Sequence, residues 1–321
     1  MGNLTVAILG KLGYSSNLAK KGTSTDITLY NLKKCEDVIT FIEPTRYPDR
    51  LAPLFYACSL ANKAIVVVDE LNANLGEILV MLQCCDINSG YFVLRNYIPI
   101  EKIQLLVKGT ILEKYDFIID DPNVLKDALI LEASKNIQPL DLGLFSGTVP
   151  VDHSFNVKGV GTVILGVVAE GVIQKNVSLN VLPGTKTTQT RSIQKHDDEF
   201  DKAYKGERVG LALKNIKVDD VERGTVLTSY NTIKTAKHVK SKASLVKYWS
   251  IPIKAGMVMH LGHWMQVLNS KVESVDEGPD CLNPELTLKL EKEVVYHPGD
   301  TAVLMYLEGG KLRVSGTITL S

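Results

Sequence analysis

Among the 321 residues of this chain, a row of lysines offers the clearest chemistry: Lys234, Lys237, Lys240, Lys242 and Lys247. They lie within Thr232–Lys247 beside His238, and that stretch contains no acidic residue. Ammonium groups in such a row pair with phosphates, and an RNA contact made this way weakens steeply with salt. The same row also fits a solvated edge strand that lysines guard against aggregation. His260 and His263, next to Trp264, form a lone HxxH pair with no third ligand, so packing is expected there and no metal site. Asp197, Asp198, Glu199 and Asp201 read as a solvated loop. Cys35, Cys58, Cys84, Cys85 and Cys281 form no CxxC pair, which fits free thiols in a reducing compartment.

The formal net charge is zero, so no global field draws the chain to nucleic acid or anionic lipid, and neither DNA nor a membrane is an expected partner. Residues 1–141 carry 14 basic and 17 acidic side chains, and the rest carry 22 and 19, which leaves the back mildly basic. No apolar window approaches the ~20 residues of a membrane span. The first ten residues lack the charged start of a signal peptide, so the cytoplasm is the expected location.

Short apolar runs at Leu4–Leu9, Val38–Ile42, Ala64–Val68, Tyr91–Leu94 and Tyr115–Ile119 predict strands. Helix-like segments at Pro53–Asn62, Leu75–Cys85 and Ile100–Lys108 lie between them, and that alternation predicts an α/β domain with a mostly parallel sheet. Beyond residue 141 the pattern changes to short β-type runs every 8–12 residues, separated by turn residues. About 180 residues of this exceed one small barrel, so two all-β barrel domains are expected. The division reads 1–141, 142–231 and 232–321.

The segment Asp152–Ile173, DHSFNVKGVGTVILGVVAEGVI, carries a family pattern. Phe155, Gly159, Gly161, Thr162, Val163, Gly166 and Gly171 fall in step with the opening of the second domain of translational GTPases. Arg191-Ser192-Ile193-Gln194, Arg208–Leu211 and Val221–Leu227 resemble later strands of that domain. Val246–Trp249 with Pro252–Gly256 resembles the third domain. The chain therefore resembles SelB and elongation factor Tu, and Lys20–Thr28 resembles the SelB-like paralogues of methanogenic archaea (the EF-Pyl type).

That resemblance implies a GTPase domain at the front, where this sequence departs from the pattern. A phosphate loop reads G-x-x-x-x-G-K followed by Ser or Thr, with amides around the β-phosphate and a lysine to neutralise it. Here Gly10-Lys11-Leu12-Gly13-Tyr14-Ser15-Ser16-Asn17 keeps Gly10 but has no Gly-Lys-Ser/Thr. Thr28 stands where the Mg²⁺-sensing threonine belongs, preceded by Asp26 in place of glycine. Glu43 stands at the start of D-x-P-G-H and could still face a metal, while Arg46 and Tyr47 replace its glycine and histidine. Ile98 replaces the carboxylate of N-K-x-D that reads guanine. Gly10, Thr28, Glu43 and Tyr47 thus mark a vestigial nucleotide site. Each lost charged contact costs about 2–5 kcal/mol, and several together remove useful GTP affinity.

The resemblance further implies that the barrels grip tRNA. Asp152 and His153 then face the aminoacyl pocket, with Arg191 as companion, although the same pair also fits a turn. The implied protein is an elongation-factor-like binder of tRNA or structured RNA, with the ribosome a further partner. No catalytic residue is assigned and no cofactor is expected; GTP and Mg²⁺ enter only if the degenerate site still works. Two alternatives stay open: a working GTPase with an atypical loop, and a scaffold for a translation-machinery partner.

Overall fold

The computed structural model describes residues 2–135, 146–196 and 198–321, so the boundary expected at 141 and Asp197 lie outside the described residues. The chain divides into two compact units, residues 1–138 with Glu308–Val314, and 139–307 with 315–321.

The first unit runs β1 (Asn3–Leu9), β2 (Lys20–Ser24), β3 (Thr28–Lys34), β4 (Asp37–Glu43), α1 (Ala52–Ser59), β5 (Lys63–Val68), α2 (Ala73–Cys84), β6 (Gly90–Leu94), α3 (Ile100–Val107), β7 (Asp116–Ile118) and α4 (Pro122–Lys135). Its sheet has the order β2-β3-β4-β1-β5-β6-β7. The pairs β4–β1, β1–β5, β5–β6 and β6–β7 are parallel. β1 and β5 are buried along their whole length, which is why they read as unbroken apolar runs. Val6, Ile8, Phe41, Ile65 and Val67 pack there with Leu125, Leu129 and Ala133 of α4. That helix, with apolar contacts at i, i+4 and i+8, is additional to the expected set, as is the antiparallel β2–β3 hairpin.

In the second unit β8 (Gly147–Val157), β9 (Gly161–Val167), β10 (Glu170–Gln174), β11 (Ser178–Leu182), β12 (Lys186–Lys195), β13 (Asp198–Phe200), β14 (Lys202–Tyr204), β15 (Arg208–Lys214) and β16 (Val226–Thr228) come first. β8, β16, β11, β12, β15 and β9 pair in a ring that the β8–β9 ladder closes. Val149, Val151, Ile164, Leu179, Ile193, Leu211 and Leu227 fill it. Gly166 is required by close approach: a Cβ there would lie 2.5 Å from the Pro150 carbonyl oxygen.

A second closed barrel follows, from β17 (Lys234–Leu245), β18 (Val258–His263), β19 (Gln266–Asp276), β20 (Glu285–Tyr296), β21 (Thr301–Met305) and β22 (Val314–Thr319). β17 pairs with β20 over Lys234–Lys242 and with β22 over Ala243–Leu245. This corrects the edge-strand expectation for Lys234, Lys237, Lys240 and Lys242, which ride on a member of a closed barrel, while Lys247 follows two residues after β17.

Candidate functional site

Parallel strands bring the loops at their carboxyl ends to one edge of a sheet, the usual place for a ligand in an open α/β sheet. Here β1, β5, β6 and β7 are followed within two residues by Lys11, Asp69, Arg95 and Asp120. The four form a chain of ion pairs. Lys11 Nζ lies 2.9 Å from Asp69 Oδ2. Arg95 Nη1 lies 3.4 Å from Asp69 Oδ1, and its Nε lies 2.9 Å from Asp120 Oδ2. Tyr14 ends the chain by donating its hydroxyl to Asp120 Oδ1 at 2.8 Å. Burial, and then that carboxylate, push the Tyr14 phenol well above its ordinary range, so it stays a donor. Lys11, the one lysine of the Gly10–Asn17 loop, is thereby turned to Asp69.

The backbone of that loop is shaped by its glycines. Gly10 has φ 90°, and a Cβ on it would sit 2.1 Å from the Val67 carbonyl oxygen, so no larger residue fits. Gly13, at φ 79°, opens a 3-10 turn over Tyr14–Asn17. Glu43, at the carboxyl end of β4 and only 2% exposed, reaches into this turn because β4 is the parallel neighbour of β1. Its Oε2 accepts the Gly13 N–H at 2.9 Å and its Oε1 accepts the Ser15 N–H at 2.6 Å. The Tyr30 hydroxyl adds a longer contact of 3.4 Å. Burial, and then Glu43, raise the Tyr30 phenol. The Ser15 hydroxyl is buried without a hydrogen-bond partner.

The structure brings two of the four vestigial-site residues side by side: Thr28 pairs across the ladder with Glu43. The Thr28 hydroxyl is 2.6 Å from Thr45 Oγ1 and 2.9 Å from Ser24 Oγ, so it is used within the protein. Gly10 turns the loop, and Tyr47 donates to the Asn74 carbonyl at 2.9 Å, toward α2. After β6, Asn96 and Tyr97 take left-handed backbone angles and the Tyr97 side chain is fully exposed, with Ile98 following. The residues present do not fit a nucleotide with Mg²⁺. The amides that would face a phosphate hold Glu43, and the loop lysine holds Asp69.

In the first barrel Asp152, 1% exposed, sits at a bulge of β8. Its carboxylate accepts Arg208 Nη1 and, at 3.3 Å, Arg208 Nη2. His153 Nδ1 lies 2.5 Å from Asp152 Oδ1, and Arg223 Nε donates to the Asp152 carbonyl at 3.0 Å. Burial pushes the Asp152 carboxyl up, but the Arg208 guanidinium and His153 outweigh it and hold it below the usual range. Asp152 and His153 are therefore together, while Arg191, at a bulge of β12, donates to the Val160 carbonyl at 3.2 Å.

Lys234, Lys237, Lys240, Lys242 and Lys247 are all exposed. Carboxylates of neighbouring strands face the row: Lys240 Nζ lies 3.1 Å from Glu285 Oε1, and His238 Nδ1 lies 3.5 Å from Glu273. On β18, His260 and His263 stand three residues apart and so project to opposite faces, His263 toward Asp300 at 3.0 Å. Burial lowers the pKa of His260.

Asp69, Asp120, Tyr30 and Arg208 escaped the sequence reading as site residues, and so did Arg95. Three of these five stand just beyond the carboxyl end of a parallel strand, a position that could have marked them. Nothing local in the sequence marks Arg208 as the partner of Asp152.

Comparison with known proteins adds four findings. The elongation factor Tu domain 2 family matches residues 161–228. The chain is 35% identical over 318 residues to an uncharacterized protein of Methanocaldococcus jannaschii, covering 98% of this chain and 99% of that one. It is 28% identical over 178 residues to the selenocysteine-specific elongation factor of the same organism, covering 50% of this chain but 37% of that protein. Among solved structures, it superposes on translation elongation factor SelB from Methanococcus maripaludis in complex with the GTP analogue GppNHp. The TM-score is 0.83 at 21% identity, covering 100% of this chain and 79% of that one.

Proposed function

We propose a function from one premise: this chain belongs to the SelB/elongation factor Tu-like family of translation factors. Within that family it acts as a nucleotide-independent binder of tRNA or another structured RNA in the cytoplasm, with GTP binding and hydrolysis lost. The ion-pair chain Lys11–Asp69–Arg95–Asp120 carries this reading, because it runs through the edge where a nucleotide would lie. Its members pair with one another along that edge. The barrels supply the RNA surface in this reading: the β17 lysines contact phosphates, and the region of Asp152, His153 and Arg191 borders the acceptor end. Ribosome docking follows from the same assignment. Among the described residues no helix is long and apolar enough to cross a membrane.

The test is a pair of measurements on the full chain. Calorimetry with GTP and Mg²⁺ gives no heat, and filter binding retains tRNA at low salt and loses it as salt rises. A micromolar GTP complex would return the chain to the working GTPases with an atypical loop. Absence of tRNA retention at low salt removes the RNA assignment.

A further inference from the structure

We propose that the groove between α3 and the edge strand β7 docks a partner protein, which supplies an extended segment of alternating basic and apolar side chains. That segment joins the front sheet as a strand beside β7. The two outer strands of this sheet are unlike each other. β2 is polar and mostly exposed, begins with Lys20 and Lys21, and shifts register between Lys21 and Ser24. Lysines and register breaks keep a sheet edge from pairing with another chain. β7 has neither. It reads Asp116-Phe117-Ile118, is followed by Ile119 at 64% exposure, and among the described residues pairs with β6 alone.

Beside that edge lies an open groove of about 670 Å³. Phe92 and Phe117 are register partners with ring centroids 5.5 Å apart, and the Tyr115 ring is 5.4 Å from Phe92. All three rings line the groove, joined by Leu105 of α3, which is 73% exposed. Apolar surface left open beside an unpaired strand marks a protein contact. The charged side chains that line the groove are Glu101, Glu113 and Asp116 against Lys108, all exposed. Three carboxylates to one ammonium repel the phosphates of an RNA and attract a cationic segment. Successive side chains of a strand point to opposite faces, and paired residues share a face. A strand added to β7 therefore sets the residue opposite Phe117 on the aromatic side of the sheet. The residues between project to the side of Asp116, whose carboxylate favours lysine or arginine there. Main-chain hydrogen bonds to β7 supply affinity, and the groove selects the side chains.

The probe is a labelled synthetic heptapeptide with lysine at its odd positions and valine, phenylalanine and valine at the even ones. It is titrated into the full-length chain and followed by fluorescence polarisation. Wild type binds it with a Kd below ~1 mM, and more weakly as salt rises. The same peptide with glutamate in place of lysine does not bind. Leu105→Lys, a change to another good helix former at an exposed position, keeps the melting temperature and weakens binding at least ~10-fold. If that variant melts lower than wild type, Asp116→Lys takes its place with the same expected loss. In hydrogen exchange, the β7 amides not bonded to β6 exchange fast in the free chain and slow when the peptide is added. Absence of wild-type binding overturns the proposal, as does a glutamate peptide that binds equally well or a substitution that leaves binding unchanged. So does protection of those β7 amides in the free chain, or their indifference to the peptide. Self-association of wild type that Leu105→Lys abolishes gives the face to a second copy and overturns the partner assignment. No readout uses RNA, so failure here is separable from failure of tRNA binding.

Discussion

Two buried carboxylates, one at a bulge of β8 and one at the carboxyl end of β4, are held in opposite ways. Asp152 in the first barrel is 1% exposed and faces a guanidinium from Arg208. Glu43 in the front unit is 2% exposed and faces backbone N–H groups. The first is shared between the side chains of Arg208 and His153, and its bonds to Arg208 tie β8 to β15. The second charge rests on dipoles that do not specify their anion. A carboxylate in such a place holds the Gly13–Ser15 turn through its amides. The difference separates a charge held by another charge from a charge held by backbone dipoles.

The largest effect expected from breaking the contrast is at Asp152. Asp152→Ala leaves the Arg208 guanidinium, with a side chain only 9% exposed, without its partner. Removing one member of a buried pair costs about 3–5 kcal/mol, to be read from denaturant unfolding of the full chain. Glu43→Gln comes next. It keeps the shape, but turns a charged acceptor of two amides into a neutral one with a competing NH₂, at a cost of about 1–3 kcal/mol. If the two substitutions cost the same, the distinction between guanidinium and amide partners is lost. Acid sharpens the same contrast. The Asp152 carboxyl is held below its ordinary value in the folded state, so its stabilisation is fully present above the unfolded value of about 3.9. That stabilisation fades as pH falls through the lower, folded value. Asp152→Asn should flatten the fall in stability below pH ~4 relative to wild type, as measured by unfolding at stepped pH.

How far this contrast was legible beforehand depends on the residue. The apolar runs of β1, β4, β5 and β6 showed in the sequence because strands buried on both faces carry no polar alternation. β2 did not show, because Lys20–Ser24 is polar and mostly exposed, and its place depends on pairing with β3. Gly10 and Glu43 were marked as remnants of a nucleotide site, but a motif comparison assigns a carboxylate at that position to a metal. Its actual partners, the Gly13 and Ser15 amides, lie 30 and 28 residues away and appear only when β1 and β4 are side by side. Asp152 was marked as a pocket residue for a related reason. The bond to Arg208, 56 residues on, depends on the closed ring of strands. Local pattern found the charges; their partners appear only with tertiary pairing.

The smallest expected effect comes from a third carboxylate, which separates partner type from burial. Glu285 faces Lys240 across β17 and β20 at 3.1 Å, with side chains 40% and 68% exposed. It has a cation, as Asp152 does, but it has water as well. Exposed pairs of this sort contribute under about 1 kcal/mol, so Lys240→Ala should leave the unfolding midpoint nearly unchanged. If it destabilised as much as Asp152→Ala, the weight placed on burial would be misplaced. The same variant probes the proposed RNA surface. A lysine that touches phosphate removes about 0.9 from the slope of log affinity against log salt when it is lost, or about 0.7 for a single strand. A tRNA titration at several salt concentrations should therefore show a shallower slope for Lys240→Ala at unchanged stability. An unchanged slope would assign Lys240 to Glu285 alone and move the RNA contact to another lysine of the row, Lys242 and Lys237 being the nearest along the strand.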